Sequence, residues 1–447
     1  MKIAHSENPT IAQNSLRTFV ARLVAMLLSV LTGIVVAKFL GPAGKGVYSG
    51  TLMAISIVMF APAGIATAFI YALTRQGRSL DDLLPAAGRL LVWLCAFGVA
   101  GTIVWGALRG FSLPVWIFLA AIPPSVVLAW QGSLYIGLGR MRNLNVQSVG
   151  IAVATLGAVT VATIVLHLGA SGALFGWLGS LYAAAFVVVF HALRLGRPSR
   201  RSDVGATVRG LVKFGTPSGI NLLLGTLNYR IDSIILIALL GIASFGVYSL
   251  AVSFGELLFM LTRPITAAAT RDIGVRDLVA SGEITAKVIR VCTAIAALAS
   301  IVAFTLGPWA IHAIYGARFL SGALPLRILL PGIVAFATAG TFAAFFIVQL
   351  GKPQVVTVIN VAMIGLQALA CLVLVPRLGM AGAALASTLT YVAGASMNTI
   401  WFCRVTGVSP RDVWVIKPAD VRIVWHEARM MLHAPRNVRV ANLSSNG

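Results

Sequence analysis

Long apolar runs, separated by short polar turns, fill most of the chain. About twelve of these runs, each of roughly 20 to 27 residues, are long enough at ~1.5 Å per residue to cross a hydrocarbon layer of ~30 Å as helices. The predicted spans are 15–40, 47–73, 82–108, 113–138, 143–167, 171–194, 214–240, 245–269, 286–313, 322–350, 354–376 and 380–404. The pattern predicts an all-α polytopic membrane protein.

The composition excludes a soluble globular domain. Apolar residues make up 59% of the chain and charged residues 10%, against roughly 25% charged residues in soluble domains. The first run has the length of a complete span and lacks the small-residue cleavage site of a signal peptide. We therefore expect it to remain in the membrane as an anchor.

A short sequence occurs twice. LGPAGKGVYS, Leu40–Ser49, returns as LGIASFGVYS, Leu240–Ser249, with seven of ten residues identical. Two further pairs follow in the same order: Leu138-Gly139-Arg140 with Leu350-Gly351-Lys352, and Leu168-Gly169 with Leu378-Gly379. A duplicated unit of six spans explains all three pairs, and an even number of spans makes the copies parallel. We expect two six-helix lobes, related by a pseudo-two-fold axis along the membrane normal, that face each other across a central cavity.

The repeated sequence is expected to form the outer turn between the first two spans of each lobe. Gly41 and Gly46, like Gly241 and Gly246, are interpreted as the residues that permit the reversal. The copies differ in one charge, because the first has a lysine, Lys45, where the second has a phenylalanine.

The repeat and the turns predict five segments. They are a cytoplasmic N-terminus (1–14), an N-lobe (15–195), a basic cytoplasmic linker (196–213), a C-lobe (214–404) and a cytoplasmic tail (405–447) in which Val421, Val424, Trp425, Ala428, Met431 and Leu432 predict an amphipathic interfacial helix. Most of the 34 Lys and Arg residues then fall on the cytoplasmic side, with both termini cytoplasmic. The net charge of +22 follows from this topology, so anionic membrane lipids rather than nucleic acid are the expected partners.

Charged residues inside the spans are the main candidates for function, because each costs about 2.5 to 3.5 kcal/mol at the bilayer centre. They are Arg22 in the first span, Arg230 and Asp232 in the seventh, and Glu256 and Arg263 in the eighth. One interpretation is a polar, partly cationic cavity for a charged headgroup. The alternatives are an Arg230–Glu256 pair that only fixes two helices together, and an Arg22 side chain that extends to the membrane surface.

Helical periodicity groups these residues. Ser249, Ser253, Glu256 and Arg263 share one face of the eighth span, and Asn221, Asn228 and Asp232 share one face of the seventh. We predict that Arg22, Asn221, Asn228, Arg230 and Arg263 bind the ligand of such a cavity, and that Asp232 and Glu256 are the sites at which a proton or sodium ion binds.

Several absences narrow the class of protein. The four cysteines lie singly in the predicted spans with no metal-ligand spacing, so neither a metal nor a cofactor is expected. No phosphate-binding loop of the Walker type occurs, and the predicted outer turns contain no Asp or Glu. We therefore expect a protein that is not an enzyme.

Four sequences resemble those of the bacterial polysaccharide-biosynthesis flippases, which belong to the multidrug/oligosaccharidyl-lipid/polysaccharide exporter (MOP) superfamily. They are VVAKFLGPAGKGVYS, LNYRIDSIILIALLGIASFGVYS, IYGARFLSGALPLRILLPG and LVLVPRLGMAGAALASTLTY. The resemblance extends from about Ser15 to Arg404. It implies a twelve-helix, two-lobe carrier in the bacterial inner membrane that moves undecaprenyl-diphosphate-linked oligosaccharides from the inner to the outer leaflet by alternating access.

The resemblance also implies a cationic central cavity and a lateral gap between the lobes for the polyprenyl tail. Arg230 and Asp232 fall on the family's recurrent Arg-x-Asp, whereas Arg22 matches the first-helix basic residue of related lipid flippases only loosely. A polysaccharide polymerase and glycosyltransferases are the protein partners it suggests. The alternatives are a drug or organic-cation antiporter of the same superfamily and a non-transporting scaffold of a polysaccharide assembly complex.

Overall fold

The computed structural model describes residues 11–110, 112–196 and 203–417, and these residues contain helices and turns but no strand. In the first half the helices are α1 (Ile11–Val58), α2 (Phe60–Thr74), α3 (Leu80–Arg109), α4 (Leu113–Gly137), α5 (Met141–Thr160, continued by a π-helical turn Val161–Val165) and α6 (Gly169–Leu195). In the second half they are α7 (Val204–Asn228), α8 (Ile231–Leu240), α9 (Ile242–Val275), α10 (Leu278–Tyr315), α11 (Ala323–Phe336), α12 (Ala339–Ala344), α13 (Pro353–Leu378), α14 (Met380–Thr406) and α15 (Pro410–Trp414).

The prediction of an all-α bundle of twelve spans in two lobes is confirmed. Within the described residues, nine helical stretches are long and apolar enough to cross a membrane, and the bent pair α7–α8 makes a tenth. The first stretch contains two spans joined at Gly41, and the less apolar α14 is the twelfth. Each lobe also has its own core. Two clusters of buried apolar side chains lie within residues 36–211, and a third lies almost wholly within 236–413.

The repeated turns depend on one glycine each. Gly41 has φ 67° and Gly241 has φ 82°, a conformation that favours glycine, and a new helical segment follows immediately in both copies. Gly46 and Gly246 are not at positive φ, so our interpretation of them as reversal residues is wrong. We call the end of the bundle that carries Gly41 and Gly241 the turn end. The opposite end, where α4 ends and α5 begins, is called the basic end.

The seventh span differs from the single helix predicted for 214–240. It begins earlier, at Val204, where Asp203 caps the helix by accepting a hydrogen bond from the Ala206 amide at 2.9 Å. It then breaks at Tyr229 and Arg230, and α8 continues at an angle of 53°. The break changes the direction of every side chain beyond it.

The chain after the last span folds back onto the C-lobe. α15 is fixed by a hydrogen bond from Arg290 to the Asp412 carbonyl, and by one from Trp414 Nε1 to Thr399 Oγ1 at 3.0 Å. A hydrogen bond from Lys417 lowers the pKa of the Asp412 carboxyl. The predicted amphipathic helix, and residues 197–202 of the predicted linker, lie outside the described residues.

Candidate functional site

A central cavity lies between the lobes. It consists of two adjoining parts of ≈ 480 and ≈ 520 Å³, bordered by α1, the α7–α8 break and α9. Residues that border both parts are Met26, Ser29, Gly33, Lys45, Ser56, Arg230, Ser253 and Glu256. Because the lining comes from both lobes, a movement of one lobe against the other would change the cavity's shape.

The middle of the cavity contains an ion pair. Arg230 Nη2 lies 2.8 Å from Glu256 Oε1, and their side chains are 26% and 47% exposed. Arg230 reaches this place because the break in the seventh span gives it φ −126° and ψ −12° at the start of α8. The carboxylate of Glu256 and the guanidinium of Arg230 are thus both in the cavity and accessible from it.

Lys45 also lies in the cavity, although the sequence placed it in an outer turn. Its side chain is 6% exposed and extends beside the first span, so that a Cβ on Gly33 would lie 3.1 Å from its Nζ. The glycine leaves room for the ammonium group. The pattern of apolar runs could not find this residue, but the difference between the copies of the repeat was a signal, because the equivalent Phe245 borders the same cavity.

The cavity reaches toward the basic end between α1 and α9. Arg263 lines this part beside Tyr229, with Met26 and Met260 nearby. Arg22 is exposed and lies one helical turn beyond Met26 on the same face, outside the lining. Among the described residues that line the cavity, Lys45, Arg230 and Arg263 are the cations and Glu256 is the acid, so the cavity is electropositive.

Hydroxyl groups supply most of the remaining polarity. Ser29, Thr32, Ser56, Ser148, Thr226, Ser249 and Ser253 border the cavity and donate hydrogen bonds to carbonyl oxygens of their own helices. Their oxygen lone pairs remain available as acceptors. Such a wall can accept hydrogen bonds from a ligand with many hydroxyl groups.

Asp232 lies inside the C-lobe and outside the central cavity. It is 2% exposed and accepts hydrogen bonds from the Ser233 amide at 2.6 Å, the Tyr248 hydroxyl at 2.6 Å and the Ser387 hydroxyl at 3.0 Å. Gln367 Nε2 in turn donates to Ser387 Oγ at 3.0 Å. A small void lies between this carboxyl and the cavity. Asp232 borders the void, and so does Glu256, which also lines the cavity.

The two predicted asparagines are also outside the cavity lining. Asn221 is exposed and its Oδ1 accepts a hydrogen bond from Thr357 on α13 at 3.1 Å. Asn228 is 1% exposed, and neither polar atom of its side chain has a partner within the described residues. The structure therefore brings Arg230, Glu256 and Arg263 together but not the asparagines.

The lobes touch at both ends of the bundle, on different helices. At the turn end, Gly46 packs against the backbone at Ile242, and Gly246 packs against the backbone at Pro42. At the basic end, α2 and α7 are in backbone contact, because a Cβ on Gly64 would lie 2.5 Å from the Gly215 carbonyl oxygen.

The pseudo-symmetric counterpart of the α2–α7 contact lies between α9 and α1. In the register of the repeat, Gly64 corresponds to Pro264, and Gly219, which packs against Phe60 of α2, corresponds to Phe19. Larger residues thus replace the glycines on the side where the cavity extends toward the basic end.

Solved structures with a similar fold are transporters of the MOP superfamily. An inward-facing multidrug resistance MATE family transporter aligns with a TM-score of 0.70 at 15% identity, over 87% of this chain and 98% of that chain. An outward-facing conformation of a multidrug resistance MATE family transporter aligns with a TM-score of 0.64 at 13% identity, over 88% of this chain and 96% of that chain. A MOP superfamily transporter from Pyrococcus furiosus Vc1 (DSM3638) aligns with a TM-score of 0.63 at 13% identity, over 89% of this chain and 95% of that chain. The reverse polarity of its binding pocket is described as suggesting a different function. The chain thus has the MOP transporter fold.

A comparison of the sequence with a family model shows the family to which the chain belongs. The model of the family described as polysaccharide biosynthesis protein matches residues 11–270, more than half of the chain. The chain therefore belongs to the polysaccharide biosynthesis protein family, as the resembling sequences indicated. No curated protein matches the chain.

Proposed function

We propose that this protein moves undecaprenyl-diphosphate-linked oligosaccharide from the inner to the outer leaflet of the bacterial inner membrane by ion-coupled alternating access. The observation that carries this proposal is the electropositive cavity between the lobes, with Lys45, Arg230 and Arg263 in its lining. The family match and the transporter fold support a membrane exporter for polysaccharide synthesis.

The charges of the cavity suit a diphosphate. Transfer of a diphosphate through hydrocarbon is prohibitive unless it is paired and hydrogen-bonded. Arginine offers a planar fork that binds phosphate oxygens in pairs, and lysine offers a compact ammonium. Glu256 forms an ion pair with Arg230, and we propose that the diphosphate replaces the Glu256 carboxylate at the guanidinium.

The sugars would bind along the hydroxyl-rich wall. Serine and threonine oxygens that already donate to their helices present acceptors to sugar hydroxyls, as at Ser29 on α1 and Ser253 on α9. The tail would remain in lipid and leave the cavity between α1 and α9, where the lining reaches Met26 and Arg263. The glycine contact between α2 and α7 closes the other side.

Asp232 is our candidate for ion coupling. A carboxyl group buried among hydroxyls is stable either as a neutral acid or with a bound cation, since an isolated buried charge costs several kcal/mol. The network from Asp232 through Ser387 to Gln367 joins α8, α14 and α13, so ion binding there would change the packing of the C-lobe. Glu256, which borders the void beside Asp232, would connect this change to the cavity.

In this proposal both termini are cytoplasmic and the basic end faces the cytoplasm. The turn end, where Gly46 and Gly246 meet, is then the closed periplasmic side. A polysaccharide polymerase and glycosyltransferases are the proposed partners, because they would use the product and supply the substrate.

Binding selectivity tests the proposal. We would reconstitute the protein in phosphatidylcholine nanodiscs and titrate a labelled undecaprenyl-diphosphate oligosaccharide against undecaprenol and against a cationic dye. We expect the diphosphate lipid to bind at least about tenfold more tightly than undecaprenol, since a hydrogen bond to a charged group contributes ~1.5–3 kcal/mol. Tighter binding of the dye than of the diphosphate lipid would favour the drug antiporter instead. Binding of neither would favour the scaffold.

A further inference from the structure

A second groove lies on the outer surface of the N-lobe, between α5 and α6. Its volume is ≈ 590 Å³. Val146, Gly150 and Ala154 of α5 line this groove, whereas Ser148 and Thr155, on the opposite face of the same helix, line the central cavity. The groove and the cavity thus lie on two faces of α5, and Ile151 borders both of them.

The basic end of the groove is polar. His191 hydrogen-bonds through Nδ1 to the Tyr135 hydroxyl at 3.0 Å and through Nε2 to the Asn143 side-chain amide at 3.4 Å. Arg142, in the first turn of α5, is exposed and lines the groove beside them. No acidic side chain in the described part of the chain forms an ion pair with Arg142. Among the described residues, this end thus presents a cation without a paired carboxylate.

The rest of the groove faces outward and is mostly apolar, with Gln147 and Ser180 as the polar residues of its lining. Val146 is 65% exposed and Val187 is 50% exposed, and both point into the groove. From Arg142 to Ala154 the groove extends for roughly 18 Å at ~1.5 Å per residue, about the depth of one leaflet. Its shape and polarity match a lipid molecule whose headgroup lies at the membrane surface.

Two hydrogen bonds between α5 and α6 fix the walls of the groove. Gln147 Nε2 donates to the Ala184 carbonyl oxygen at 3.1 Å, and the hydroxyls of Thr155 and Ser180 share a hydrogen bond at 2.7 Å. These two contacts hold α5 and α6 at a fixed separation along the length of the groove. Because these contacts are made by the protein itself, they lower the cost of ordering the site when a ligand binds.

We propose that this groove binds an anionic phospholipid of the leaflet at the basic end. The phosphate lies at Arg142 and Asn143, and one acyl chain lies along Val146, Gly150 and Val187. The ligand is a resident lipid rather than the transported molecule, because the groove lies on the outer surface of the N-lobe and the cavity cations Lys45, Arg230 and Arg263 do not line it. Its bound chain stabilises the face of α5 opposite the cavity wall.

Two variants test the site at its two ends. Arg142→Gln removes the cation. Gly150→Leu fills the apolar part, and because nothing lies within 4 Å of a Cβ at Gly150, this helical position accepts the side chain without a clash. Arg404→Gln is the matched control, since Arg404 is an exposed arginine in the last turn of α14 at the same end of the bundle.

The measurement is the thermal unfolding midpoint of the full-length protein in phosphatidylcholine, titrated with phosphatidylglycerol. Loss of one basic group should weaken the apparent affinity of Arg142→Gln for phosphatidylglycerol about fivefold. Gly150→Leu should weaken it to a similar degree with no change of charge, and Arg404→Gln should match the wild type. Equal titrations for wild type, Arg142→Gln and Gly150→Leu would overturn the proposal.

Native mass spectrometry identifies the occupant. We expect wild-type protein to retain phosphatidylglycerol in preference to phosphatidylcholine, and to retain less of it with either groove variant. Equal retention of the two phospholipids would overturn the proposal. So would displacement of phosphatidylglycerol by undecaprenyl phosphate at equal concentration, because the groove would then belong to the transport substrate.

Discussion

Gly46 and Gly246 close the turn end of the bundle by reciprocal backbone contact. A Cβ on Gly46 would overlap the carbonyl oxygen of Ile242, and a Cβ on Gly246 would overlap that of Pro42. Pro42 and Ile242 are themselves equivalent positions of the repeat. The repeated sequence is thus both a turn within each lobe and a contact between the lobes. The alternating access that we propose requires this contact to separate.

The first prediction concerns this contact. Gly46→Val should separate the turn ends of the two lobes, because the added side chain cannot fit against the Ile242 backbone. Spin labels at positions 38 and 244, which replace Lys38 and Ser244, would report the separation by pulsed electron paramagnetic resonance. We expect the distance between the two labels to be longer than in the protein with Gly46. Gly101→Val is the control, since a Cβ at Gly101 has nothing within 4 Å. An unchanged distance in Gly46→Val would contradict the assignment.

The second prediction separates a cavity role of the Arg230–Glu256 pair from a purely structural one. If the diphosphate competes with Glu256 for Arg230, Glu256→Gln should strengthen binding of the diphosphate lipid and Arg230→Gln should weaken it. We expect a change of about tenfold in each direction, as for a charge-assisted hydrogen bond. Equilibrium binding in nanodiscs measures both. If both variants bind more weakly in proportion to a loss of thermal stability, the pair has only a structural role.

The third prediction concerns Lys45. Replacement by methionine keeps the length of the side chain and removes the charge, so it should weaken binding of the diphosphate lipid by about tenfold with little loss of stability. Lys38→Met is the matched control, because Lys38 is exposed near the same end of the first span and outside the cavity lining. Equal binding by the two variants would remove Lys45 from the site.

The fourth prediction tests ion coupling at Asp232. Asp232→Asn keeps the size of the side chain but removes the group that can bind a proton or a sodium ion. We expect transport by this variant to lose its dependence on the ion gradient, while affinity for the diphosphate lipid stays within about twofold because Asp232 is outside the cavity lining. Transport into liposomes with imposed pH or sodium gradients measures this. A gradient dependence equal to that of the wild type would exclude Asp232 as the coupling residue.

Much of the architecture could be predicted from the sequence because membrane spans depend on local composition. The lengths of the apolar runs predicted the membrane-spanning helices, and the repeat that begins at Leu40 and Leu240 predicted the two lobes. The break at Tyr229 and Arg230 was not predictable, since neither residue is a proline or glycine. It ended the helical face on which Asn228 and Asp232 were grouped, and it turned Arg230 into the cavity.

Lys45 shows a second limit of sequence patterns. A lysine beside a turn is ordinarily expected at the membrane surface. Only the tertiary structure shows that the long side chain of Lys45 extends past Gly33 into the interior. The packing of Gly46 and Gly64 was likewise not predictable. The sequence does not distinguish a glycine that forms a turn from a glycine that allows a neighbouring backbone to pack closely. Which role a glycine has depends on where the second lobe lies.

Transport of a lipid-linked oligosaccharide tests the central claim most directly. Liposomes would contain the purified protein and a fluorescent undecaprenyl-diphosphate oligosaccharide in one leaflet, with its appearance in the other leaflet followed by a membrane-impermeant quencher. We predict transfer by the wild type and by Arg404→Gln, and at least about tenfold slower transfer when Arg230 and Arg263 are both changed to glutamine. Transfer of a cationic dye by the wild type, with no transfer of any lipid-linked sugar, would contradict the account.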